Sequence, residues 1–139
     1  WSLILCDLDH FKRINDTHGH IVGDHVLTRA AQQIERSLRT SDTVYRFGGE
    51  EFAILLPHAD HDAAREVADR IRLAISNIQV ETETETVTVS ASCGVAKQMK
   101  DEDFECWLAR ADEALYSAKD RGRNCICLSQ PLLERKMPV

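Results

Sequence analysis

The chain has 139 residues, enough for one ordinary domain whose core needs neither disulfide nor structural metal. Hydrophobic residues make up 43% and charged residues 29%, which excludes the disordered and fibrous classes. A formal net charge of −6 excludes a general binder of nucleic acid polymers, which would carry a broad basic face, but leaves room for a local cation cluster. No apolar run approaches the roughly 18–20 residues that span a bilayer, and no signal-peptide pattern opens the chain. The five cysteines (Cys6, Cys93, Cys106, Cys125 and Cys127) are odd in number and lack CxxC spacing. They read as reduced thiols of a cytoplasmic domain that makes no membrane contact itself, any anchor of the parent protein lying upstream.

Taken in order, Trp1 to Cys6 reads as a buried strand ending at Asp7, and Phe11 to Asp16 as a short helix stopped by the Gly19–Gly23 region. From Asp24 onward, Leu27, Ala30, Ala31, Ile34 and Leu38 recur at helical spacing, with Asp24 a favoured N-cap. Asp42 to Phe47, Gly48-Gly49 and Glu50 to Leu56 read as a β-hairpin closed by a type I′ turn, and Pro57 ends it. A helix with Ala64, Val67, Ala68, Ile71, Ala74 or Ile75, and Ile78 on one stripe follows. Val80 to Thr88 alternates as a half-exposed strand would, continuing through Ser90 to Val95.

The last helix runs from about Phe104 to Lys119, with Phe104, Trp107, Leu108, Ala111, Ala114 and Leu115 inward and Gly122 at its C-terminal cap. Cys125 to Leu128 makes a final strand. A hairpin inside an otherwise alternating pattern predicts an α/β domain with a mostly antiparallel sheet, rather than a doubly wound parallel one. Gly48-Gly49 opens no helix, so it is neither a P-loop nor a dinucleotide fingerprint.

Two acidic clusters fall at strand ends: Asp7 with Asp9, and Glu50 with Glu51. Residues two apart on a strand share a face, so Asp7 and Asp9 are expected together, whereas Glu50 and Glu51 diverge unless the turn twists them. Hard oxygen ligands at adjacent strand ends suit Mg²⁺, which completes its octahedron with waters and substrate phosphates. His10, His18, His20 and His25 match no zinc spacing and read as exposed loop residues.

Several of these segments together resemble the GGDEF family of diguanylate cyclases. Phe47-Gly48-Gly49-Glu50-Glu51-Phe52 resembles its signature in the GGEEF form, and Asp7-Leu8-Asp9-His10-Phe11-Lys12-Arg13-Ile14-Asn15-Asp16 resembles its first-strand segment. Gly19-His20, Gly23-Asp24, Ala111 through Lys119 and Gly122-Arg123-Asn124 match in order and spacing. The resemblance implies a five-stranded, palm-like nucleotidyl cyclase fold over residues 1–139. It also implies condensation of two GTP into cyclic di-GMP by a homodimer of domains. An upstream family segment of the DxLTGLxNR type and a sensory module are expected to precede the chain.

By the same resemblance, Asp7, Glu50 and the Leu8 carbonyl hold a first Mg²⁺ or Mn²⁺, with Glu51 a ligand to a second. Asn15 and Asp24 read guanine, His20 lies near the base or ribose, and Lys12, Lys119 and Arg123 clamp the triphosphate. Either Glu50 or Glu51 deprotonates the attacking hydroxyl. Arg39-Thr40-Ser41-Asp42, set five residues before Gly48, resembles the family's RxxD product-inhibition site, with Arg70 a secondary contributor. The alternative is a silent module that binds GTP or cyclic di-GMP. Such a module usually lacks a signature acid or a phosphate lysine, and this sequence keeps both.

Overall fold

In the computed structural model, residues 1–129 are described; residues 130–139 of the expected domain lie outside them. A five-stranded sheet has the order β2-β3-β1-β6-β7, built from β1 (Ser2–Leu8), β2 (Thr43–Arg46), β3 (Glu51–Leu56), β6 (Ala91–Lys97) and β7 (Ile126–Leu128). β1 pairs antiparallel with both β3 and β6, and only the β6–β7 pair is parallel. The expected mostly antiparallel architecture is therefore present.

Alternation along the central strands divides the core. Ile4, Cys6 and Leu8 of β1, with Phe52, Ile54 and Leu56 of β3, face α1 (Phe11–His18), α2 (His20–Arg36) and α3 (His61–Ser76). Leu3 and Leu5 face the other way, against Trp107, Ala111 and Leu115 of α4 (Phe104–Asp120). The central strand is buried throughout because both faces are covered, which is why its sequence reads as a continuous apolar run. α4 lies close to the sheet at Gly94, where a Cβ would come within 2.3 Å of the Ala111 carbonyl and the Leu115 amide nitrogen.

Four local expectations change. α2 begins at His20, so Asp24 lies inside the helix rather than at its N-cap; Gly19, at φ 89°, is the break that separates α1 from α2. Gly48 takes φ 77° but Gly49 does not adopt positive φ, so the turn is not type I′. The Phe47 amide instead donates to the Glu51 carbonyl at 2.9 Å across a wider loop. The Val80–Val95 run folds into three strands, β4 (Gln79–Glu81), β5 (Thr86–Thr88) and β6, because the Thr82 hydroxyl oxygen accepts from the Thr84 and Glu85 amides and turns the chain. Phe104, expected inward, is 56% exposed and meets Trp107 edge-to-face.

The end of α4 forms as its glycine predicts. Gly122, at φ 114°, donates to Lys119, and Arg123 donates to Ala118, a Schellman arrangement that satisfies the last carbonyls.

Candidate active site

The acids gather where β1 leaves the sheet and β3 enters it. Asp7 lies opposite Glu51 in the β1–β3 register, and the Leu8 amide donates to the Glu50 carbonyl at 3.2 Å. Directly opposed residues of an antiparallel pair share a face with Cβ atoms about 4.5–5.5 Å apart. Two strand ends thus bring Asp7 and Glu51 together, with Glu50 near enough to act on Glu51. Asp7 is buried, and the Lys119 ammonium donates to its carboxylate from the last turn of α4.

The charge balance there is negative. Partial burial pushes the Glu51 carboxyl above its ordinary range, and Asp7, Glu50 and Asp112 push it further; only Lys119 pulls it down. Crowded carboxylates with too little compensating charge are the donor set that a hard divalent cation requires. Among the described residues, however, no group of three or more His, Cys, Asp or Glu side chains is arranged to hold a metal ion as the chain stands. Asp112, on the flank of α4, was not singled out from the sequence, where a helical Asp beside Glu113 carries no distinguishing signal.

Asp9 is also an acid of this region, yet it is already engaged. It accepts from the Ser90 and Ser92 hydroxyls, both at 2.6 Å, and from the Asn124 amide at 3.0 Å. Ser92 is the register partner of Asp7, so Asp9 is on the face expected of it, but serves as a structural acceptor.

α1 packs against α2 at Gly23. Gly23 is buried, and a Cβ there would stand 1.8 Å from the Asn15 Oδ1. The glycine makes room for Asn15, which brings that amide close to the first turns of α2, where His20 and Asp24 are exposed. Lys12, on α1, and Arg123, after α4, are exposed cations on the segments that flank the acids. The signature loop between them is braced by Arg46, whose guanidinium donates to the Gly49 carbonyl at 3.1 and 2.8 Å.

A separate polar group lies at the far end of α2. The Arg39 amide donates to the Asp42 carboxylate at 2.8 Å, and its guanidinium approaches the same carboxylate at 3.4 Å. Arg70, from α3, donates to the Ser37 carbonyl at 2.8 Å, which places it beside that turn. The three residues of the expected feedback site are therefore neighbours.

The sequence matches the family described as diguanylate cyclase, GGDEF domain, over residues 1–125. The chain belongs to the GGDEF family. Among curated relatives, it is 39% identical over 126 residues to diguanylate cyclase VdcA of Vibrio cholerae, which covers 88% of this chain and 37% of the relative. The chain thus spans about a third of that protein. Among solved structures, the GGDEF domain of DgcB from Caulobacter crescentus, in complex with c-di-GMP, superposes with a TM-score of 0.89. It is 32% identical, over 94% of this chain and 78% of that one. Diguanylate cyclase SiaD from Pseudomonas aeruginosa, solved with its activator SiaC, gives 0.88 at 39% identity, over 91% and 49% of the two chains.

Among the described residues, no helix is long and apolar enough to cross a membrane.

Proposed function

We propose that this GGDEF domain joins two GTP molecules into cyclic di-GMP, each domain of a homodimer presenting one GTP to the other. The observation that carries the reading is the meeting of Asp7, Glu50 and Glu51 at the β1–β3 junction with Lys119 against them. In each of two equivalent steps, a ribose 3′-oxygen bonds to the α-phosphorus of the facing GTP. The bond from that phosphorus to the oxygen bridging to the β-phosphate breaks, and pyrophosphate leaves.

A divalent cation, Mg²⁺ or Mn²⁺, held by Asp7, Glu50, the Leu8 carbonyl and Glu51 would neutralise phosphate charge. The chain's own groups do the rest. Glu50 or Glu51 accepts the 3′-hydroxyl proton, and the raised proton affinity of Glu51 suits that task. Lys12, Lys119 and Arg123 bind the triphosphate, Lys119 turning from Asp7 to a phosphate oxygen. Asn15 and Asp24 accept from the N–H groups of guanine, with His20 beside the base or ribose. Arg39, Asp42 and Arg70 bind product, Arg39 offering phosphate its planar fork.

The test is to incubate the chain with GTP and Mg²⁺, separate the nucleotides, and repeat with Glu50→Ala. Cyclic di-GMP from the parent, reduced in the variant by about 10²–10⁴-fold, is expected for loss of a metal- and proton-handling carboxylate. Bound GTP with no cyclic product from the parent would instead make the chain a nucleotide-sensing module. Asp24→Ala should narrow the preference for GTP over ATP, and unchanged preference would remove Asp24 from the base-reading role.

A further inference from the structure

Ser90 and Ser92 stand two apart where an otherwise apolar strand begins, and Ser92 is fully buried. A buried hydroxyl needs a partner, and here both serines donate to one carboxylate, Asp9, itself 6% exposed. The third donor to Asp9 is the backbone amide of Asn124, from a loop 115 residues further along the chain. That loop is unusual. Gly122, Arg123 and Asn124 follow one another at φ 114°, 67° and 47°, so two residues with side chains hold a left-handed backbone. Such a conformation persists only where its surroundings fix it.

Two contacts do so from opposite sides. Asp9 takes the Asn124 amide on the β1 side, and on the α3 side the Arg72 guanidinium donates to the Asn124 side-chain carbonyl at 3.1 Å. Arg72 is itself set by Asp69, which accepts from it at 3.0 and 2.9 Å. The residue immediately before Asn124 is Arg123.

We propose that Asp9 is a positioning residue for substrate binding: through Asn124, and jointly with Arg72, it fixes the left-handed loop that aims Arg123 at the triphosphate. The inference rests on the reading of Arg123 as a triphosphate-binding cation. It separates the two aspartates of the first-strand segment by task. Asp7 carries the Lys119 ammonium, which a metal cation could displace, whereas Asp9 has three donors on it and ties the end of β1 to the start of β6 and to the loop after α4.

The test compares Arg123→Ala, Asp9→Ala, Asp9→Asn and Arg72→Met in the chain. Equilibrium affinities are measured for a non-hydrolysable GTP analogue and for GMP, together with the Mg²⁺ concentration that half-saturates binding of the analogue. Loss of one charge-assisted phosphate contact predicts about tenfold weaker analogue binding in Arg123→Ala and Asp9→Ala, with GMP affinity held. Asp9→Asn, whose carbonyl still accepts from Asn124, should recover most of that loss and leave the Mg²⁺ requirement unchanged. Arg72→Met, which leaves β1 and β6 untouched, should weaken the analogue selectively and by less.

Unaltered analogue binding in Arg123→Ala would overturn the triphosphate reading and the inference with it. Weakened binding in Arg123→Ala, with Arg72→Met and a folded Asp9 variant like the parent, would overturn the positioning role alone. A shifted Mg²⁺ requirement in Asp9→Asn would make Asp9 a metal ligand and overturn it as well. Should Asp9→Ala not fold, Asp9→Asn and Arg72→Met still decide.

Discussion

Gly23 shows how one missing side chain makes room for another, Asn15, which the proposed function assigns to the guanine base. Its Cα faces the Asn15 amide so closely that any Cβ would overlap Oδ1. Gly23→Ala must therefore push Asn15 aside. The expected outcome is a KM for GTP raised by about 10–100-fold, the cost of one lost polar contact, with a smaller change in kcat. Steady-state kinetics at several GTP concentrations would check it. From the sequence, Gly23 is just a glycine before Asp24; only the packing of α1 on α2 shows which side chain it admits.

Glu51 is held at a cost to the fold. Its carboxyl is raised above the ordinary value of 4.5, through burial and then through Asp7, so the folded state holds the proton more tightly than the unfolded chain does. A group shifted upward contributes stability below its unfolded pKa and loses it as pH rises through the folded value. At neutral pH the charged Glu51 therefore destabilises the fold. Glu51→Gln is expected to raise Tm at pH 7 while abolishing turnover, and the gain should vanish near pH 4. Thermal unfolding of parent and variant at the two pH values would show it.

At the scale of elements, hydrophobic periodicity marks α2, α3 and α4, a continuous apolar run marks β1, and β2, in which just Val44 is half-buried, is legible through the Gly48-Gly49 turn beside it. What periodicity missed depends on single polar atoms. The Thr–Glu alternation from Glu81 to Thr86 has the period of a strand, yet the Thr82 hydroxyl captures two amides and turns it into a hairpin. The start of α2 was displaced because Gly19 and Gly23 looked like one breaker region, whereas only Gly19 leaves the helical conformation.

The nearness of Asp7 to Glu51 follows from two strand ends that the sequence already marks with acids. The Asp9–Asn124 link was not legible, since nothing local relates residues so far apart. The closest helix–sheet contact has its own test. At Gly94, a methyl group would meet backbone atoms of α4, which cannot move as a flexible side chain does. Gly94→Ala is expected to cost about 1–3 kcal/mol in chemical denaturation, a typical overpacking penalty.

Across the whole molecule, charge is arranged at two ends of the sheet with opposite consequences. Far from the acid site, Arg110 is buried and grips Glu102 at 2.7 and 2.8 Å while donating to Ser129 at 3.0 Å. The hydrogen bonds from Arg110 hold the Glu102 carboxyl below its ordinary range. A group shifted downward contributes stability above its unfolded value and loses it as pH falls through the folded one. Glu102→Gln should lower stability at pH 7 by about 3 kcal/mol, as expected when a buried pair is broken, and the deficit should shrink on acidification below 4.5. The Arg110–Glu102 end thus stabilises the domain, while the end that gathers Asp7, Glu50 and Glu51 crowds carboxylates at a cost to stability.

On the proposed function, two such ends must face each other, since one GTP would supply the hydroxyl and the other the phosphorus. The most direct measurement is the initial rate of cyclic di-GMP formation from GTP and Mg²⁺ over a wide range of chain concentration, in the parent and in Glu50→Ala. The account predicts a rate per chain that rises with concentration in the parent, and at most a trace of product in the variant. GTP bound tightly by the parent with no cyclic product at any concentration, including in a forced dimer, would contradict it.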